Sequence, residues 1–189
     1  MRSTKHNGAS TDDLASHSPV LFIVDADREA RIASESALIR RFAPDYRVLT
    51  ADTPEAGLEG LRRLAQRGEE VALVAADLRL PDMDGIAFLE LARALHRRAV
   101  RALLVAMDRC GPRIPFGELQ SLQRATALGP IDFWAVKGWA APEELLYSQM
   151  QEALSGWPRA AGRSAWRRWP WKTRGRASAR RSRRRRSSL

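Results

Sequence analysis

Two aspartates and a lysine, Asp25, Asp77 and Lys137, each stand at the end of an apolar run: PVLFIVDAD, VALVAADL and IDFWAVK. Continuous apolar runs of this length have the form of strands buried on both faces of a parallel sheet. Set side by side, such strands would bring two carboxylates and one ammonium to a single edge. A hard divalent cation such as Mg²⁺ takes oxygen ligands from one or two carboxylates, waters and phosphate oxygens, and a nearby lysine acts as a point charge toward a phosphoryl group. A further run, RALLVAM, brings Val105 and Ala106 to the same edge.

The intervening segments must position these strands. Arg28 to Phe42 places Ala30, Ile32, Ala33, Ala37, Leu38 and Phe42 mostly on one helical face, with Asp27 placed to cap its start. The alternation repeats: YRVLTAD then PEAGLEGLRRLAQRG, VALVAADL then GIAFLELARALH, RALLVAM then a short helix within PFGELQSLQRATAL, and IDFWAVK then PEELLYSQMQEAL. Five strands alternating with five helices predict an α/β domain, a single (βα)5 unit with a doubly wound parallel five-stranded sheet, because each right-handed crossover needs a helix to cover the sheet. Periodicity leaves the strand order open. In open sheets of this kind, ligand chemistry sits beyond the carboxyl ends of the strands, near the reversal of winding.

Three separated motifs carry a resemblance to the response-regulator receiver family, of CheY-like type, over about residues 19 to 156. VDAD at 24 to 27 resembles its acidic cluster, DLRLPDMDG at 77 to 85 its acceptor motif D-x-x-x-P-x-x-(D/S)-G, and WAVKG at 134 to 138 its lysine motif, usually K-P. The resemblance implies a flavodoxin-like strand order 2-1-3-4-5. It implies Asp77 as the acceptor of a phosphoryl group from a histidine kinase or phosphotransfer protein, forming an acyl phosphate with Mg²⁺ between carboxylate and phosphoryl oxygens. It further implies Lys137 and Ala106 at the phosphoryl group, Asp25, Asp77 and Arg79 at the metal, and Val105 and Trp134 as switch positions. Pro81 and Gly85 would shape the loop after Asp77 by a fixed φ followed by a permissive one. More narrowly, K-G-W and LLYSQMQEAL resemble receiver domains fused to thioredoxin-reductase-like flavoproteins. The chain has no Gly-x-Gly-x-x-Gly or Cys-x-x-Cys, so it is not itself expected to be the reductase.

The chain departs from that family at three places. Ala26 stands where a second adjacent carboxylate is usual, and Asp27, one residue on, is turned to the other face of a strand and better explained as a helix cap. Val105 replaces the usual Ser or Thr and has no hydroxyl. Gly138 replaces the Pro after the lysine, and Trp134 is bulkier than the usual Tyr or Phe. Together these favour weakened metal binding and uncoupled signalling over a fully working switch. The plain alternatives are a turn-capping loop aspartate for Asp77, a capping or loop carboxylate for Asp25, and a solvated strand-end lysine for Lys137.

The chain has 189 residues, enough for one packed domain with flanking segments, and a formal charge of +10. Residues 157 to 189 hold 13 Lys and Arg and no Asp or Glu, so the preceding 156 residues carry 19 basic against 22 acidic, a net of −3. The excess is therefore all tail, and the composition of the domain gives no reason to expect a nucleic-acid-binding fold. A single cysteine, Cys110, excludes an internal disulfide. Residues 1 to 18 read as a disordered, solvated leader without the apolar core of a signal peptide, and no window reaches the roughly 20 apolar residues of a membrane span, so a cytoplasmic protein is expected.

The tail contains four of the six tryptophans and reads as disordered. It could bind nucleic acid by counterion release and stacking, sit on an anionic surface, be a solvated tail without a partner, or derive from translation in a shifted frame. Trp134, Trp139 and Tyr147 on the face formed by the fourth helix, fifth strand and fifth helix are candidates for a homodimer contact, or else pack under the loops. The expected functions are thus a phosphorelay receiver, a phosphorylation-independent pseudo-receiver acting as an interaction platform, or a binder of nucleic acid or anionic surfaces through the tail. In each case the chain is a binding module rather than an enzyme.

Overall fold

The computed structural model describes residues 18–43, 45–108, 111–112, 118–137 and 143–157. The leader, the tail after Trp157, Cys110, Gly138 and Trp139 lie outside them. Strands β1 (Val20–Val24), β2 (Arg47–Ala51), β3 (Val71–Asp77), β4 (Val100–Asp108) and β5 (Phe133–Lys137) alternate with helices α1 (Arg28–Phe42), α2 (Pro54–Gln66), α3 (Gly85–Leu95), α4 (Glu118–Leu128) and α5 (Glu143–Ser155). The five long strands are parallel and stand in the order β2-β1-β3-β4-β5. A two-residue return, Gly111–Pro112, pairs antiparallel with the end of β4.

All five residues of β1 and six of the seven of β3 are buried, as central strands covered on both faces must be. Side-chain alternation then builds two apolar layers. Val20, Phe22 and Val24 pack with Leu58, Leu61, Phe88, Leu89 and Leu122 under α2, α3 and α4. Leu21 and Ile23 pack with Leu38, Phe42, Leu146, Met150 and Leu154 under α1 and α5. Capping residues start the first three helices: Asp27 accepts from the Glu29 and Ala30 N–H groups, Thr53 from Ala56 ahead of Pro54, and Asp84 from Ala87. Because the chain leaves β1 in one direction and resumes at β3 in the other, the winding reverses between these two strands, and Asp25 and Asp77 follow at their carboxyl ends.

Helix α1 departs from the face read from sequence. Ala37, Leu38 and Phe42 are buried as expected, but Ile32 is 49% exposed and Ala33 is also exposed, while Ser34 takes the buried place. Ile39, seven residues after Ile32, lies exposed on the same outer stripe. Apolar residues on two sides of a helix leave no single periodic face to read. The packing also reaches one residue past the sequence boundary. Trp157, read as the first residue of the tail, is buried in the α1/α5 layer, and its indole N–H donates to the Arg98 carbonyl at 2.8 Å.

Trp157→Ala is expected to lower the unfolding free energy by about 3 to 5 kcal/mol, the cost of removing a buried aromatic. Trp157→Phe should lose less, since it keeps a six-membered aromatic ring and gives up the pyrrole part of the indole with its hydrogen bond. Urea denaturation followed by circular dichroism checks both.

Candidate functional site

The parallel register carries Asp25, Asp77 and Lys137 to one place. Val24 pairs with Ala76, Asp77 with Leu104, and Ala106 with Lys137, so the three chain ends arrive level across β1, β3, β4 and β5. The Lys137 ammonium donates to Asp25 Oδ2 at 2.5 Å and lies 3.0 Å from Asp77 Oδ2. Asp25 is fully buried, Lys137 is 4% exposed, and the Asp77 side chain is 13% exposed. Lys137 is therefore not a solvated strand-end lysine, and Asp77 and Asp25 are not merely turn carboxylates. Burial pushes the Asp25 carboxyl above its ordinary value, against the charge and hydrogen bond of Lys137.

The turn between β1 and α1 holds Asp25 from two further sides. Its Oδ1 accepts the Asp27 N–H at 3.0 Å, and the Arg31 guanidinium donates to its carbonyl at 2.6 Å. Arg31 escaped the sequence reading because nothing about an arginine in the first turns of a helix marks it as reaching back across six residues. Asp27 itself is exposed and faces the helix, as its expected capping role requires.

The loop after Asp77 is held to the sheet by backbone bonds, from Leu78 N–H to the Leu104 carbonyl at 2.8 Å and from Gly85 N–H to the Leu78 carbonyl at 3.0 Å. Gly85 is required for its missing side chain rather than for a permissive φ: a Cβ there would sit 2.1 Å from the Asp77 carbonyl oxygen and 2.8 Å from Leu103 Cδ1. The positive φ of this loop, 63°, belongs to Asp82, a residue type that tolerates the left-handed region. Arg79 bridges antiparallel to Asp84 in the same loop.

At the end of β4, Val105 is fully buried in the α2/α3/α4 layer, and Ala106 lies beside Lys137. Trp134 is 36% exposed, and alternation along β5 turns it away from Phe133 and Ala135. Tyr147 packs partly buried against the other layer, with Phe133. The two described aromatics of the expected contact face thus lie on opposite sides of the edge strand.

Protein donors already engage most of the carboxylate oxygens that a divalent cation would use. Three of the four pocket carboxylate oxygens are committed to protein donors: Asp25 Oδ1 to Asp27 N–H, and Asp25 Oδ2 and Asp77 Oδ2 to the Lys137 ammonium. Among the described residues, no group of three or more His, Cys, Asp or Glu is disposed to hold a metal ion. Nor is any described helix long and apolar enough to cross a membrane.

No protein-family model and no curated protein matches the chain. Solved structures do. The adenylate cyclase from Rhodopirellula baltica superposes with a TM-score of 0.55 at 15% identity, over 73% of this chain and 88% of that one. The signal receiver domain of an HD domain-containing protein from Pseudomonas fluorescens Pf-5 gives 0.55 at 21% identity, over 79% and 93%. The chemotaxis response regulator CheY4 of Vibrio cholerae gives 0.52 at 17% identity, over 72% and 98%. At such identities the likeness shows the fold: the described residues adopt the CheY-like fold, in the strand order 2-1-3-4-5.

Asp27 gives this corner of the site a pH dependence of definite sign. The Ala30 N–H, with that of Glu29, holds its carboxyl below the ordinary 3.8. A lowered folded value means that the cap stabilises the fold fully above 3.8 and that this stabilisation is lost as pH falls through the lowered value. Asp27→Ala should cost about 1 kcal/mol near neutrality, with the gap to wild type closing in strong acid, whereas Asp27→Asn should keep the cap and lose the pH dependence. Paired urea denaturations along a pH series measure this.

Proposed function

We propose that this chain is a cytoplasmic receiver module of phosphorelay signal transduction whose acceptor pocket has ceased to act as a switch, leaving a phosphorylation-independent interaction platform. Val105 carries the reading. Asp77 and Lys137 meet as a phospho-acceptor and its lysine would, but the residue beside them that would relay the event is a valine sealed into the core with Phe88 and Leu103. An isopropyl group has no donor to offer a phosphoryl oxygen, so a charge placed on Asp77 has nothing to pull inward from β4. The pocket supports the same reading, because Asp25 is already neutralised and hydrogen-bonded without any ligand. The names of the structural neighbours, receiver domain and response regulator, supply the class of process in which the module would act.

A second reading, in which Asp77 takes a phosphoryl group from a histidine kinase or phosphotransfer protein, is favoured by one observation. Asp77 is the carboxylate of the pair that solvent reaches. Its oxygen would attack phosphorus as the donor's leaving group departs, giving an acyl phosphate.

Incubation with acetyl phosphate and Mg²⁺, followed by intact mass measurement, separates the two. The platform reading expects no added phosphoryl group on a chain that remains folded by circular dichroism. Gain of one group in wild type, absent in Asp77→Ala, would establish the phospho-accepting receiver instead.

A further inference from the structure

From the placement of its ammonium between the two carboxylates, we infer that Lys137 is the resident cation of this pocket, and that the loss of a carboxylate at Ala26 is what excludes a divalent ion in its favour. The inference rests on the reading of the same pocket as no longer switching, and adds the chemistry that holds it so.

The argument begins with charge. Asp25 and Asp77 contribute two negative charges, Lys137 returns one positive, and these three side chains sum to −1. A carboxylate at position 26 would make that −2, enough to neutralise a dication beside the lysine. Ala26, exposed in the turn directly after Asp25, supplies neither charge nor oxygen. Its neighbour Asp27 does not replace it, because its carboxylate is spent on the Glu29 and Ala30 N–H groups at 2.9 and 3.1 Å.

Geometry points the same way. The ammonium reaches Asp25 Oδ2 at 2.5 Å and Asp77 Oδ2 at 3.0 Å, so one nitrogen bridges the carboxylates that an ion would have to bridge. The remaining Asp25 oxygen is held by the Asp27 N–H, a bond that an entering ion would have to break or share. An ammonium delivered on β5 needs no dehydration from bulk solvent at each encounter, and as part of the same chain it competes at an effective concentration that does not fall on dilution. Magnesium, which sheds its waters reluctantly and normally relies on one or two carboxylates plus phosphate oxygens, finds a site in which Asp25 Oδ1, Asp25 Oδ2 and Asp77 Oδ2 already have protein donors.

Thermal unfolding of the full chain, with and without millimolar MgCl₂ at matched ionic strength and with no phosphoryl donor, tests this. Wild type should melt at the same temperature in both. Ala26→Asp, a change at an exposed turn position, should gain a saturable rise of several degrees, because an ion bound only by the folded state stabilises it by mass action. Lys137→Met, which vacates the place between the carboxylates, should melt lower than wild type and recover part of the loss when Mg²⁺ is added. A saturable Mg²⁺ response in wild type, or none in folded Ala26→Asp, would overturn the inference, as would a folded Lys137→Met indifferent to Mg²⁺. If Lys137→Met does not fold, wild type and Ala26→Asp decide between them. Phosphoryl uptake at Asp77 would sink the functional reading, whereas an Mg²⁺ response in wild type without such uptake would sink this inference alone.

Discussion

A carboxylate with no exposure to water cannot stay charged unless something replaces the hydration it has lost, and Asp25 is in that position. Two protein groups replace it, the Lys137 ammonium and the Asp27 N–H, while the Arg31 guanidinium holds the backbone carbonyl of the same residue. Each fixes a different part of the fold. Lys137 requires β5 to be docked against β4 in register, Asp27 requires the turn after β1 to be closed, and Arg31 requires α1 to begin where it does. The desolvation cost of a buried pair can cancel much of its attraction, so the contribution of this network lies less in net stability than in permitting one arrangement of these elements. Removing a single partner would leave the full cost uncovered.

The fold was readable from sequence because several independent patterns agreed. Unbroken apolar runs marked β1 and β3 as central strands, Asp27, Thr53 and Asp84 opened helices, and the strand-ending residues Asp25 and Asp77 fell at the reversal of winding. Reading failed where a pattern was locally degenerate. Helix α1 carries Ile32 and Ile39 on its outer side and Ser34 on its inner side, and hydrophobicity alone assigns them the other way round. Trp157 looked like part of the tail because an Arg- and Trp-rich stretch follows it, yet its indole finds the Arg98 carbonyl 59 residues away, a partner that no local window contains.

The site was legible at the level of which residues meet, and illegible at the level of what they do to one another. Types and spacing were enough to bring Asp25, Asp77 and Lys137 together. They could not tell that the lysine bridges both carboxylates, nor that Gly85 is demanded by the approach of the Asp77 carbonyl rather than by backbone conformation. Those are matters of tenths of an ångström, set by the packing of β4 and the loop after β3. The substitutions Ala26 and Val105 stood out in the sequence as missing atoms. The structure adds what fills their places: an exposed turn position in one case and a well-packed core side chain in the other.

The partners in the buried ion pair are 112 residues apart in the chain, and this separation bears on how the protein is made. Closing so long a loop is slow compared with forming local helices, and β5 is the last strand to leave the ribosome. Until it arrives, a nascent chain can pair β1, β2, β3 and β4, but the ammonium that meets the Asp25 carboxylate is missing. The carboxylate then has to keep its water, which holds the carboxyl edge of the sheet open to solvent. Completion of the fold is thereby tied to completion of the polypeptide, and a chain truncated before Lys137 is marked as unfinished by an exposed charge that it has no means to bury.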